Sequence, residues 1–255
     1  MTDMPPANKE DLELALHLAA EVAPLAMNWF SSIDLNVITK ADGSPVTQAD
    51  VAVERRLREL IGEHDGSAAI LGEEEGATEG ISGRRWILDP IDGTSAFAHG
   101  VPLWSTLIAL HDEHGPAIGV ISLPGTNEIV AAGRGLGVTL NGEPCRVSKH
   151  STLEGSFVTT WGLEKWPVEL LEKLQRKGAN VRGWSDAYGW ALLASGRVEA
   201  VIDPATKLWD IAPMQTIIPE AGGKLHTIPG DSPISYAHSI GTNGAVHEEA
   251  VSLFV

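Results

Sequence analysis

Arg85-Trp-Ile-Leu-Asp89-Pro-Ile-Asp92-Gly-Thr94 is a short apolar run that stops at two carboxylates. Residues 85–88 have the pattern of a buried strand, and such a strand delivers whatever follows it to one end of a sheet. A charge at that end is costly unless it is paired or bound to a cation. Pro90 fixes a bend through which Asp89 and Asp92 can converge. Gly93 allows close backbone approach by a ligand, and Thr94 supplies a hydroxyl. The N–H groups beyond Thr94 suit the positive end of a helix facing an anion. An isolated Asp is usually a solvated charge or a helix cap; here each neighbour has a separate physical use.

Two further carboxylate groups fit the same arrangement. Glu73-Glu74-Glu75 follows Gly72 and the apolar run 68–71, and Trp209-Asp210 opens a helix much later. Carboxylates at this density repel one another unless hard cations lie between them, and oxygen ligands select Mg²⁺ or Mn²⁺. Two such ions, about 3.5–4 Å apart, can activate a water and stabilise both oxygens of an in-line phosphoryl displacement.

Residues 11–30 carry Leu12, Leu16, Ala19, Ala20, Ala23 and Met27 at helical spacing. Gly43 and Pro45 make residues 38–46 a turn or hairpin. Thr47 caps a second predicted helix over 47–63, with Asp50 in its first turn. Strand patterns then dominate: 105–111, 117–122, 128–133 and 138–144, the last containing the turn dipeptide Asn141-Gly142. From residue 155 the pattern alternates. Strands 156–160, 179–183, 198–202 and 223–228 are interleaved with helices 166–177, 186–195 and 210–221, an α/β arrangement. A boundary near Ser148 separates an N-terminal α+β half, 1–147, with most candidate ligands, from a C-terminal α/β half, 148–255, with Asp210.

The 255 residues, 43% of them hydrophobic, are enough for a large core. A formal charge of −16 argues against nucleic-acid binding, and against a two-metal nuclease, because the Lys/Arg footprint is missing. No apolar run approaches the roughly 20 residues that span a bilayer. The first eleven residues lack a basic-then-apolar leader, and the single Cys145 forms no internal disulfide. A cytoplasmic protein without nucleic-acid or membrane partners is expected. The nine His residues show no zinc-peptidase spacing, and there is no Gly-Lys-Ser/Thr nucleotide loop. Gly133-Arg-Gly-Leu-Gly137 precedes a strand pattern and reads as a turn. The eight Trp residues read mainly as core; Trp161, Trp166 and Trp184 lie in less periodic surroundings, where one is a candidate for stacking on an imidazole or for a subunit interface.

The ordered set Val46-Thr-Gln-Ala-Asp50, Gly72-Glu-Glu, Asp89-Pro-Ile-Asp-Gly-Thr94 and Trp209-Asp-Ile-Ala212 resembles the signature of the inositol-monophosphatase superfamily. Lys40-Ala-Asp42-Gly-Ser-Pro-Val-Thr47 and Glu220-Ala-Gly-Gly223 agree, so the resemblance spans nearly the whole chain. It implies a layered α–β–α–β–α sandwich of α+β / α/β class. It implies a Mg²⁺-dependent hydrolase of small phosphorylated metabolites with two or three ions, Mn²⁺ as a substitute, lithium sensitivity and a homodimer. By the same resemblance, Glu73, Asp89 and the carbonyl of Ile91 would bind one ion. Asp89, Asp92 and Asp210 would bind a second, and Glu73 would help a third through water. Thr94, hydrogen-bonded towards Asp50 and Glu73, would orient and deprotonate the attacking water, with the N–H groups of Gly93 and Thr94 on the phosphate. Glu74 would support the ligands from behind, Glu75 would be exposed, and Trp209 would fix the corner presenting Asp210.

Within the superfamily, Gly83-Arg-Arg-Trp-Ile-Leu-Asp89, Gly100-Val-Pro-Leu-Trp-Ser-Thr-Leu-Ile-Ala-Leu110 and Arg182-Gly-Trp-Ser-Asp186-Ala-Tyr188 look most like the histidinol-phosphate phosphatases. Asp186 stands where inositol phosphatases carry a small neutral residue, and Asp203 where the family has a substrate-facing Glu. Two carboxylates at the leaving-group end suit a cationic amino alcohol better than a neutral polyol. Asp186 is equally a helix N-cap, and Asp203, before Pro204, equally a turn residue. Two positions depart from the branch. Ser95-Ala96 replaces Lys-Asn, removing a cation, and Pro219 should kink the 210–221 helix or end it early. The alternatives are an inositol-1-monophosphatase or broad-specificity sugar-phosphate phosphatase with the same site, and a catalytically silent binding protein of the same fold. Bisphosphatases need a second basic cluster, which the chain lacks.

Overall fold

A computed structural model describes residues 4–30, 32, 35–40, 43, 45–184 and 186–254. Ala41, Asp42 and Ser44 of the first motif, and Ser185 of the 182–188 stretch, lie outside the described residues. Helix α1 (Lys9–Trp29) is capped by Asn8, whose side chain accepts from the Glu10 N–H, and it buries Ala15, Leu18, Ala19, Val22 and Ala26. That spacing forms a single apolar stripe. A short hairpin, β1 (Val37–Thr39) and β2 (Pro45–Thr47), follows. Helix α2 (Gln48–Asp65) opens with a reciprocal capping box between Thr47 and Asp50.

Eight strands form the first sheet: β3 (Ala69–Gly72), β4 (Gly76–Thr78), β5 (Arg85–Asp92), β6 (Ser105–Asp112), β7 (Gly115–Leu123), β8 (Glu128–Gly133), β9 (Gly137–Leu140) and β10 (Glu143–Pro144). Their order is β10-β9-β8-β7-β6-β5-β3-β4, antiparallel except for the β3–β5 pair. A one-turn helix, α3 (Thr94–Ala98), follows β5 directly. The second sheet holds β11 (Phe157–Thr159), β12 (Asn180–Arg182), β13 (Ala200–Lys207), β14 (Lys224–Pro229) and β15 (Ser235–Thr242), in the order β12-β11-β13-β15-β14. Its remaining helices are α4 (Val168–Arg176), α5 (Asp186–Ala194), α6 (Leu208–Ile211), α7 (Met214–Glu220) and α8 (His247–Val251).

Three apolar layers join these pieces. Helices α1 and α2 cover one face of the first sheet through Leu18, Leu57, Trp86 and Ile108. Helices α5 and α7 lie between the sheets, where Leu107, Ile121, Trp190 and Ile217 meet. Helices α4 and α8 cover the far face of the second sheet around Val158, Leu174 and Ile240. The fold is therefore the layered α–β–α–β–α sandwich that the motifs implied.

Several elements differ from their sequence-based ranges. Strand β5 does not stop at Leu88 but continues to Asp92, and its pairing with β6 shifts register between Asp89 and Asp92. That bulge accommodates Pro90, which cannot donate to the ladder. The predicted 166–177 helix begins only at Val168, after a 3₁₀ turn at Leu163–Lys165 and Pro167. Strand β13 extends to Lys207, so Asp203 and Pro204 are paired strand residues and not a turn. The predicted 210–221 helix is two pieces, α6 and α7, divided at Ala212 and Pro213. Pro219 lies inside α7, whose last residue is Glu220. Strands β4 and β15 and helix α8 carry no strong sequence pattern. At the centre of β7, a Cβ on Gly119 would lie 2.3 Å from the carbonyl oxygen of Pro213. Only a residue without a side chain lets the α6–α7 break press so closely on the first sheet.

Candidate active site

The bulge in β5 turns Asp89 and Asp92 towards the sheet's end, and α6 brings Asp210 to meet them. Carboxylate oxygens of the three lie within 4.8 Å of one another. Asp92 Oδ2 accepts from the Ser105 hydroxyl at 2.9 Å and from the Ala187 N–H at 2.7 Å. Asp210 Oδ2 accepts from the Lys207 N–H at 2.7 Å. Asp89 is buried, and its Oδ1 has no hydrogen-bond partner. Burial first, and the neighbouring charges of Glu73, Asp92 and Asp210 second, push the Asp89 carboxyl well above its usual range. Asp92 and Asp210 are raised by burial and then by each other's neighbourhood, Asp186 acting on Asp92 and Asp92 on Asp210.

Asp50 is the hub beside this cluster. Its Oδ2 accepts from the N–H and hydroxyl of Thr47 at 2.8 and 2.5 Å. The Thr94 hydroxyl lies 3.2 Å from Asp50 Oδ1 and 3.0 Å from the carbonyl oxygen of Ile91. Burial raises the Asp50 carboxyl, against the bonds from Thr47. Glu73 follows β3, and its Oε1 accepts from Lys40 Nζ at 2.8 Å; no Thr94–Glu73 bond joins them among the described residues. Lys40 also donates to Glu74 at 2.6 Å. Burial pushes Glu74 up to about 7, while Lys40 pulls it down. Glu75 is exposed, as expected, and there takes the Arg55 guanidinium at 2.7 Å and faces Arg58 at 3.8 Å. Trp209 packs with Ile87 and Leu208, next to Asp210.

Gly93 adopts a left-handed conformation, φ 81°, at the start of α3. A Cβ there would meet Asp186 Oδ2 at 2.9 Å, so the tight corner also seats the Asp186 carboxylate. Asp186 itself is held at φ 49° as the first residue of α5. Asp203 is 2% exposed; its Oδ1 accepts from the Trp161 N–H at 3.1 Å and its Oδ2 from the Trp190 indole N–H at 2.7 Å. Burial, against those two bonds, pushes its carboxyl up to about 8.

Asp89, Asp92 and Asp210 line one cleft of about 370 Å³ together with Glu73, Gly93, Thr94, Asp186 and Asp203. Seven of its lining residues are acidic: Glu73, Asp89, Asp92, Glu164, Asp186, Asp203 and Asp210. None of its described lining residues is Lys, Arg or His. Converging carboxylates, an unpartnered buried oxygen and raised carboxyl pKa values together fit a hard divalent cation. Trp161 and Glu164 belong to the cleft, whereas Trp184 stacks on Phe157 and Trp166 is buried in the outer core. The sequence carried a hint for Trp161, in its unperiodic setting, and none for Glu164 or for the Asp203 role of Trp190.

Residues 7–254 match the inositol monophosphatase family. The chain is 36% identical over 256 residues to the histidinol-phosphatase of Mycobacterium tuberculosis, covering 95% of this chain and 97% of that protein. It is 37% identical over 244 residues to the histidinol-phosphatase of Chlorobaculum parvum, covering 91% and 94%. Among solved structures, the IMPase of Thermotoga maritima superposes with a TM-score of 0.86 at 30% identity over 96% of both chains. The chain belongs to the inositol monophosphatase family and is a phosphomonoester hydrolase. Among the described residues, no helix is long and apolar enough to cross a membrane.

Proposed function

We propose that the substrate is L-histidinol phosphate, hydrolysed to L-histidinol and phosphate with Mg²⁺ as the required ion. The observation that carries the substrate class is the cleft lining, rich in carboxylates and aromatic rings and without a cationic side chain among its described residues. Such a lining favours a leaving group that is itself cationic over a neutral polyol. The relatives named histidinol-phosphatase, at 36% and 37% identity, support the same reading.

Asp89, Asp92 and Asp210, with Glu73 and the carbonyl of Ile91, are the residues to hold Mg²⁺. The ions, when bound, supply an acidified water and neutralise charge on the phosphoryl oxygens. The protein's own groups do the rest. Thr94 has one hydroxyl hydrogen and donates it to Asp50 Oδ1 or the Ile91 carbonyl, which leaves its lone pairs to accept a proton from the attacking water. Asp50, fixed by Thr47, is placed to receive the proton that Thr94 passes on. Gly93 and Thr94 offer N–H groups to the phosphate at the head of α3.

The test is phosphate release with Mg²⁺ from L-histidinol phosphate and from inositol 1-phosphate. A higher kcat/KM for the histidinol ester, abolished by EDTA, is expected. Equal values on both esters would make the enzyme a generalist and overturn the substrate assignment.

A further inference from the structure

We infer that Glu164 is the carboxylate that receives the ammonium group of the substrate, beside a flat wall formed by Trp161. This rests on reading the cleft as a site for a phosphorylated amino alcohol. Apart from Asp210 of the carboxylate cluster, three acidic residues of the second half line the cleft: Glu164, Asp186 and Asp203. Asp203 is closed off from solvent, and each of its oxygens is already held by a Trp N–H. Its donors make it a brace for Trp161 and Trp190, and its burial leaves little of the carboxylate to face a cation. Asp186 presses its carboxylate against Gly93 and raises Asp92, so it belongs to the phosphate end of the cleft.

Glu164 is placed differently. It lies on the three-residue turn Leu163–Lys165, exposed at the cleft, and no hydrogen bond or ion pair engages its carboxylate among the described residues. Three residues earlier, Trp161 is fixed at two points, by its N–H to Asp203 and by its indole N–H to the carbonyl of Pro204 at 2.9 Å. An aromatic ring held at both ends is a pre-organised surface for a planar group of the substrate. A carboxylate with its lone pairs unengaged, just along the same wall, matches an ammonium on the adjoining carbon chain. The pairing of ring and charge gives selectivity that the metal cluster, which sees only phosphate, cannot supply.

The experiment compares kcat/KM for L-histidinol phosphate and for its des-amino analogue, the phosphate ester of imidazolyl-propanol, in the wild type and Glu164→Gln. The wild type is expected to prefer the amino ester. Glu164→Gln should lower kcat/KM for the amino ester about tenfold, mainly through KM, as expected for loss of one charge-assisted hydrogen bond. The des-amino ester should be unaffected, so the two esters converge. Trp161→Leu should weaken both esters and leave their ratio unchanged. If Glu164→Gln lowers both esters equally, or leaves the wild-type preference intact, the assignment of Glu164 fails while the amino-alcohol reading stands. If the wild type itself does not distinguish the esters, that reading fails and takes Glu164 with it.

Discussion

Glu54 and Asp89 are both carboxylates shut away from solvent, and their oxygens are used in opposite ways. Glu54 Oε1 accepts from Arg58 at 2.9 Å and from the Glu75 N–H at 3.0 Å, and its Oε2 accepts from the Glu74 N–H at 2.8 Å. Every feature of that site holds the turn after β3 in shape. Asp89 has no Lys, Arg or His bonded to it among the described residues, one oxygen without a partner, and further carboxylates for neighbours. A buried charge that is fully satisfied belongs to the architecture, whereas one left unsatisfied among like charges marks chemistry.

The contrast breaks most sharply on activity. Asp89→Asn should reduce kcat/KM by more than about 100-fold, the range that losing even an outer contact of a metal ligand reaches. Because Asn, like the protonated Asp89, places no charge in the buried cluster, the substitution should leave the melting temperature of the metal-stripped protein unchanged or higher. A drop in stability with activity retained would reverse the roles assigned to the two carboxylates. Glu54→Gln should do the opposite. It removes the charge that Arg58 and the N–H groups of Glu74 and Glu75 bond, although Arg58 keeps Gly76, Thr78 and Glu75, so a loss of about 2 kcal/mol in urea unfolding is expected, while activity per folded molecule stays near wild type.

The smallest effect sharpens the same comparison through pH. Burial holds Asp203 at about 8 and Asp89, Asp92 and Asp210 above their ordinary range, so the folded protein keeps protons that the unfolded chain gives up near pH 4. Between those values the folded state binds more protons, and stability falls as pH rises. The melting temperature of the metal-stripped protein should therefore decline from about pH 5 to about pH 8. Asp203→Asn should flatten the slope, and Mg²⁺ at a hundred times its dissociation constant should restore about 2.7 kcal/mol. A melting temperature that climbs with pH in the absence of metal would contradict the raised carboxyl pKa values.

The convergence of the carboxylates was legible in the sequence because residues 89–94 combine constraints that no surface segment needs together. Asp210 was legible from the order of the motifs. Of the opposite wall, the sequence points to Asp186, Asp203 and Trp161, but not to Glu164. Glu164 sits on a turn too short to have a period, and a lone Glu beside Lys165 looks like any solvated pair. Asp203 reads as a substrate-side candidate and equally as a turn residue because Pro204 follows it, yet β13 runs through both. Its Pro has no N–H to lose from a ladder that β15 completes around it. Strand β15 itself, Ser-Tyr-Ala-His-Ser-Ile-Gly-Thr, has too few large apolar residues to alternate. Its place is set by its neighbours in the sheet, a tertiary effect that local pattern does not carry.

The close contact between Gly119 and Pro213 ties one strand position, outside the cleft lining, to the corner that presents Asp210. Asp210 lies three residues before Pro213, and a methyl group at position 119 would have to push the α6–α7 corner away from the sheet that carries Asp89. A survey that ranked positions by distance from the cleft would pass over Gly119. Its substitution would still surface there, as weakened divalent-ion binding in a protein whose ligands are all intact.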